Sequence, residues 1–192
     1  VIMWGMLNEA ETDKPVAPGV VKRLAARFRQ LDPSRPVTFA SNREESDRCF
    51  GYVDIVSLNA YPGWYSSDLE HADSAIAARI KTLARRAGRK PLILSEFGAA
   101  AITGQRSFED RKWTENYQAE LLRKLIDTIR TSGVVCGVAL WQYCDMRTAR
   151  NLWYGRAREY NNKGIVSEFR QPKMGFYAVK EVFSKPWKPV KG

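Results

Sequence analysis

Short apolar runs alternate along this chain with longer stretches in which apolar residues recur every three or four positions. The first kind predicts buried strands and the second amphipathic helices. Strands are predicted over Val1–Leu7, Val37–Ala40, Val53–Leu58, Leu92–Leu94 and Val134–Tyr143, the last being the longest run. Helices are predicted over Val20–Leu31, Ser74–Ala87, Thr114–Thr131 and Gly175–Phe183. Val21, Leu24, Ala25 and Phe28 trace the apolar face of the first helix, and Tyr117, Leu121, Leu122, Leu125 and Ile129 that of the third. Pro15–Gly19 reads as a loop, Asp32-Pro33-Ser34-Arg35-Pro36 as a stop and turn, Gly88 as a helix C-cap and Ser132-Gly133 as a helix end. Asp145–Lys163 has few apolar residues and is expected to be irregular.

Strands that alternate with helices argue for a parallel α/β sheet. Polar and aromatic residues repeatedly follow the strands: Asn8, Glu9, Asn59, Tyr61, Glu96 and Trp141. That is the habit of a (β/α)8 TIM barrel, whose sites are built at the carboxyl ends of its strands. Five strands are predicted where a closed barrel needs eight, and Val1 lies in mid-strand. The expected architecture is therefore an incomplete, C-terminal portion of such a barrel over residues 1–183, followed by a basic, Pro-containing tail at 184–192. By itself such a portion is expected to be inactive and prone to aggregate, because it exposes sheet edges. No G-x-G-x-x-G follows a strand, so a dinucleotide fold has no support.

Two of the strands end in a carboxylate. Leu92-Ile93-Leu94 runs into Ser95-Glu96-Phe97-Gly98, and the first strand runs into Asn8-Glu9. A Glu at the mouth of a buried strand costs desolvation energy unless it is paired or working. Gly98 would let the backbone turn directly after it. The two glutamates stand 96 − 9 = 87 residues apart, room for roughly two or three strand–helix units of about 30 residues. Both would then sit on one rim of one sheet, where two facing carboxylates suit glycoside hydrolysis by the retaining route.

At 192 residues the chain can enclose one substantial core, and its 44% apolar and 27% charged residues are ordinary for a globular protein. No run approaches the length needed to span a membrane. Cys49, Cys136 and Cys144 lack metal-like spacing, and Cys136 and Cys144 are expected to be buried thiols. His71, the sole histidine, is expected at the surface or in a cap, which argues against a His-dependent triad or a His-rich metal site. The net charge of +10 is spread over several helices and the tail, and is read as solvated helix faces. A non-catalytic basic domain that binds a polyanion is the competing class of function.

The motifs Trp4-Gly5-Met6-Leu7-Asn8-Glu9, Leu58-Asn59-Ala60-Tyr61-Pro62-Gly63-Trp64-Tyr65, Ser95-Glu96-Phe97-Gly98, Trp141-Gln142-Tyr143 and Asn161-Asn162-Lys163-Gly164 carry a resemblance over nearly the whole chain. Together they resemble the catalytic barrel of glycoside hydrolase family 2, and most of all its β-glucuronidases. The resemblance implies a retaining hydrolase that removes a terminal β-linked uronic acid, with a carbohydrate substrate and no cofactor, metal, nucleic acid or membrane partner. It implies a homo-oligomer for the full-length parent and leaves the compartment open, the cytoplasm slightly favoured. Glu9 would be the acid/base and Glu96 the nucleophile. Asn8 would meet the sugar 2-hydroxyl, Tyr61 would stand beside the nucleophile, and Tyr65 and Trp141 would line the sugar pocket. Asn161 and Lys163 would grip the uronate carboxylate, with Asn162 and Gly164 as turn-formers.

A nucleophile has to stay ionised, and Asn59 and Tyr61 are the candidate donors to Glu96. Pro62 stands where several β-glucuronidases carry a second tyrosine, and the segment from Trp141 to Asn161 is longer and richer in arginine than in the best-known members. Arg147, Arg150, Arg156 or Arg158 could add a carboxylate contact. Glucuronide and galacturonide both stay open, and a family 2 β-galactosidase is the nearest alternative.

Overall fold

The computed structural model describes residues 1–152 and 155–190. Five parallel strands form one sheet in simple sequential order: β1 (Trp4–Asn8), β2 (Val37–Ser41), β3 (Val56–Asn59), β4 (Leu92–Glu96) and β5 (Val135–Val138). Helices α1 (Ala17–Leu31), α2 (Ala72–Ala87) and α3 (Glu115–Thr131) connect strands, and α4 (Met174–Phe183) follows the sheet. This is the wall of a TIM barrel over five strands, as the alternating pattern predicts.

The helices pack on the outer face of that wall, where the main core lies. Ile76, Ile80 and Leu83 of α2 are buried with Leu121, Leu122, Leu125 and Ile129 of α3. The opposite face of the sheet lines an open groove of about 820 Å³ that includes Met6, Ile93, Cys136 and Val138. Alternation of side chains along β5 turns Cys136 into this groove. Cys136 is therefore exposed and Cys144 partly so, contrary to the expectation that both are buried; Cys49 is the buried thiol.

Several boundaries move for local reasons. Helix α1 begins within the stretch expected to be a loop, because Pro18 suits the first turn of a helix. Strand β3 begins at Val56 rather than Val53. Ahead of it, Asp54 accepts the Val37 N–H at 2.8 Å and a bond from Arg29 at 2.7 Å, which bends the chain into the sheet. Strand β5 spans only Val135–Val138 of the long run, after which the backbone leaves the sheet toward Trp141. Thr114 caps α3 through a bond from the Tyr117 N–H, and Gly88 closes α2 with φ +64°.

His71 occupies the N-cap position of α2, and its exposed ring pairs with Asp68 rather than capping the helix. Among its described residues the irregular stretch holds a small antiparallel strand pair, β6 (Met146–Arg147) with β7 (Tyr160–Asn161), and two short 3-10 turns. Beyond α4, Trp187 packs on the core and Lys188 N–H bonds to Arg130 O at 2.9 Å.

Candidate active site

The carboxyl ends of β1, β3, β4 and β5 converge on a cavity of about 600 Å³. All nine residues expected at the site line it: Asn8, Glu9, Asn59, Tyr61, Tyr65, Glu96, Trp141, Asn161 and Lys163. Four others also reach it, namely Asn42, Ser66, Arg79 and Arg156.

Strand register places the carboxylates. Asn59, the last residue of β3, stands opposite Glu96, the last of β4. Glu9 leaves β1 in the left-handed backbone region, with φ +49° and its N–H bonded to Ala40 O at 2.9 Å. A non-glycine residue held there costs about 1–3 kcal/mol and recurs at working positions. The Asn59 amide donates to Asn8 Oδ1 and to Glu9 Oε1, both at 3.0 Å, and Ser95 Oγ holds its other end by donating to Asn59 Oδ1 at 2.7 Å. Asn59, expected as a donor to Glu96, thus directs its amide hydrogens to Asn8 and to the first carboxylate instead.

Tyr61 donates its hydroxyl to Glu96 Oε2 at 2.6 Å. Burial raises the pKa of Glu96 above the ordinary carboxylate value, and the neighbouring charge of Glu9 adds to the rise. The Tyr61 bond, the Asn59 amide and the Lys163 charge all act against it. The same surroundings push the Tyr61 phenol far up, through burial first and then its bond to Glu96, so Tyr61 remains a donor.

Trp141 is held by backbone. Its N–H bonds to Phe97 O at 3.0 Å, and its peptide with Gln142 is cis. Its carbonyl lies where a Cβ on Gly98 would be. Gly98, at φ +152°, therefore serves close approach of two strand ends as well as the turn expected of it.

The cationic corner is built by the loop after β7. Lys163 is 2% exposed, and its ammonium sits 4.8 Å from the Tyr65 ring centroid, 5.5 Å from Tyr61 and 5.6 Å from Trp64. It donates one hydrogen bond, to Tyr65 Oη at 2.8 Å, which is its sole side-chain bond among the described residues. An ammonium carries three donors, so two remain for a ligand. Burial lowers the pKa of Lys163; the Tyr65 phenol is lowered as well, since the hydrogen bond and charge of Lys163 outweigh its own burial.

Of the four arginines considered, Arg156 alone lines the cavity, where its charge acts on Lys163 and Tyr65. Arg147 is paired with Glu159 at 3.0 Å, and Arg158 with Glu168. Asn42 carried a readable signal, since it follows β2 as the other site residues follow their strands. Arg79 did not: it lies on α2 and reaches the cavity's edge while bound through two nitrogens to Glu44. Among the described residues, no group of three or more His, Cys, Asp or Glu is placed to hold a metal ion, and no helix is long and apolar enough to cross a membrane.

Known proteins resemble this chain in sequence and in fold. Residues 1–186 match the family model described as "Glycosyl hydrolases family 2, TIM barrel domain". The chain is 34% identical to the β-glucuronidases of Pongo abelii and Homo sapiens, over 96% of its length but 29% of theirs. It therefore spans less than a third of these relatives. Among solved structures it is similar to a family 2 β-galacturonidase from Eisenbergiella tayi bound to galacturonate, at 33% identity and a TM-score of 0.89, over 97% of this chain and 34% of that one. The β-D-glucuronidase of Dictyoglomus thermophilum gives a TM-score of 0.90 at 32% identity, over 100% of this chain and 33% of that one. A β-glucuronidase from Ruminococcus gnavus in complex with D-glucuronic acid gives 0.86 at 28% identity, over 94% and 32%. On the family match and the identity to these relatives, the chain belongs to glycoside hydrolase family 2 and forms part of its TIM barrel domain.

Proposed function

We propose that this site removes a terminal β-linked uronic acid from a glycoside by the retaining route. The observation that carries the reading is the buried ammonium of Lys163, with two donors unspent, in the same cavity as the carboxylates of Glu9 and Glu96. A neutral sugar offers such a cation only hydroxyl acceptors, whereas a uronate carboxylate also brings the counter-charge that offsets its desolvation. The complexes of similar proteins with galacturonate and with D-glucuronic acid support the same ligand class.

In this mechanism Glu96 attacks the anomeric carbon while the glycosidic C–O bond breaks, and Glu9 gives its proton to the departing oxygen. Water then attacks the glycosyl–Glu96 ester, Glu9 takes back a proton and Glu96 leaves as carboxylate. Tyr61 stabilises the ionised nucleophile, Asn8 meets the 2-hydroxyl, Tyr65 and Trp141 flank the ring, and Asn161 with Lys163 holds the uronate. Two carboxylates and water suffice, so no cofactor is required of this route.

The test uses the complete protein carrying this chain, with matched aryl β-glucuronide, β-galacturonide and β-galactoside. A uronide should be the preferred substrate. Lys163→Met should lower kcat/KM for it by about 10- to 150-fold, the worth of a charge-assisted hydrogen bond, and harm the galactoside far less. Preference for the galactoside, or equal losses on both classes, would reject the reading.

Tyr61→Phe tests the nucleophile's environment. Catalysis needs Glu96 ionised, and the tyrosine hydroxyl favours the ionised form. Without it the acidic limb of the kcat/KM profile should move to higher pH, with activity lost first on the acid side. A limb that stays in place or moves down would show that Glu96 is not the group titrating there.

A further inference from the structure

Behind the cationic corner lies a second layer of buried polar side chains that the chemistry above does not use. Four consecutive carbonyls of the 161–164 loop are each held from the protein interior. Asn161 O accepts from Gln142 Nε2 at 3.1 Å. Asn162 O accepts from Lys173 Nζ at 3.2 Å and from the Ala101 N–H at 2.9 Å. Lys163 O accepts from the Gln142 N–H at 3.1 Å, and Gly164 O from Gln118 Nε2 at 3.0 Å. The Gly164 N–H donates to Asp145 Oδ1 at 2.9 Å.

Lys173 is the hub. It stands at the N-cap position of α4, is 0% exposed, and spends its three donors on Ala101 O at 2.7 Å, Asp145 Oδ1 at 2.8 Å and Asn162 O. Gln118, also 0% exposed, reaches from α3 and holds Ala99 O at 2.8 Å besides Gly164 O. At Gly164 itself there is no room for a Cβ, which would lie against the Asp145 nitrogen, the Cys144 carbonyl carbon and the Val166 oxygen. Gly164 is thus more than the turn-former expected. A loop with so many bonds into the interior has little freedom left, and a cation presented on it is fixed before any ligand arrives.

We propose that Lys173, with Asp145, Gln118 and Gln142, is a positioning network that preorganises the Asn161–Lys163 grip and so sets the affinity for the uronate carboxylate. Helices α3 and α4, which build the outer core, thereby reach through to substrate choice. The proposal rests on the uronide reading above and adds residues that touch no substrate.

The experiment compares Gln118→Met and Lys173→Met with the parent in the complete protein, using whichever aryl uronide it hydrolyses better, and the aryl galactoside as comparator. Leu125→Ala, a core change on α3 away from the loop, serves as a control for lost stability. Gln118→Met keeps the length of the side chain and removes no charge, so it gives a second reading should Lys173→Met not fold. Expected for Gln118→Met is a rise in KM for the uronide of about 10-fold with kcat within about 3-fold, together with a matching rise in the inhibition constant of the free uronic acid. The pattern follows from losing binding common to ground and transition states. Galactoside hydrolysis should change by less than about 3-fold, and Leu125→Ala should show no such split. Equal losses on both substrates, or an unmoved uronide KM, would overturn the network's positioning role while leaving the uronide reading intact. A parent with no uronide activity would instead remove the reading and the inference together.

Discussion

Glu96→Ala in the complete protein should abolish turnover of an aryl uronide, with a loss in kcat of at least ~10^4-fold, the scale seen when a covalent nucleophile is removed. The site offers no substitute. Glu9 leaves β1 on the other side of Asn59, and Tyr61, though bonded to Glu96, has its phenol pushed away from ionisation. Glu9→Gln should behave differently. An acid that protonates the leaving oxygen matters less as the leaving group becomes a better anion. The Glu9→Gln defect should therefore be smaller for an aryl uronide with a strongly acidic phenol than for an alkyl uronide, while the Glu96→Ala defect is large for both. Steady-state kinetics across a series of leaving groups measures the difference. Residual activity of Glu96→Ala near the parent's would end the two-carboxylate account.

Lys173→Met should lower stability by about 3–5 kcal/mol, the usual cost of breaking a buried ion pair on one side. Lys173 and Asp145 are 0% and 1% exposed in their side chains and lie 2.8 Å apart. Burial drives the Asp145 carboxyl up and the Lys173 ammonium down, and each partner's charge restrains the other's shift. Removing the cation leaves the carboxylate without its counter-charge and strips Ala101 O and Asn162 O of a donor. Adding Asp145→Asn should recover part of the loss, because an amide oxygen still accepts the Gly164 N–H and carries no charge. Urea unfolding of the parent, the single variant and the double variant measures both steps. A loss below about 1 kcal/mol for Lys173→Met would contradict the assignment of a buried, charged pair.

Much of this was legible in the chain. Parallel strands read as continuous apolar runs, so β1, β2 and β4 stood out, and the residues that end or follow β1, β3 and β4 announced the rim on which the site is built, although β1 itself is only partly buried. Helix faces were equally plain in α2 and α3. What stayed hidden depends on the third dimension. The length of β5 could not be read, because the apolar run continues past Val138 while the backbone turns away to bring Trp141 to Gly98. Cys136 sits in an apolar sequence yet faces the open groove, and only the pleat decides which side of the sheet a strand residue takes.

The 161–164 loop shows both halves of the lesson. Its Asn-x-Lys pattern was visible as a motif, but nothing local marks Gln118, Asp145 and Lys173 as its supports. They come from three separate segments and meet only when α3 and α4 pack. Among the four arginines of the irregular stretch, composition could not choose; ion pairs to Glu159 and Glu168 occupy Arg147 and Arg158, and Arg156 is the one that lines the cavity.

The most direct measurement is to trap the intermediate. A 2-deoxy-2-fluoro uronosyl donor with a good leaving group should inactivate the complete protein, since fluorine slows both formation and breakdown of the glycosyl ester through their oxocarbenium-like transition states, while the good leaving group speeds formation alone. Peptide mass spectrometry should then find one added fluorouronosyl group on the peptide that spans Glu96, and none on the peptide that spans Glu9. Labelling at Glu9, or full turnover of the donor with no adduct on either glutamate, would contradict the assignment of Glu96 as the nucleophile.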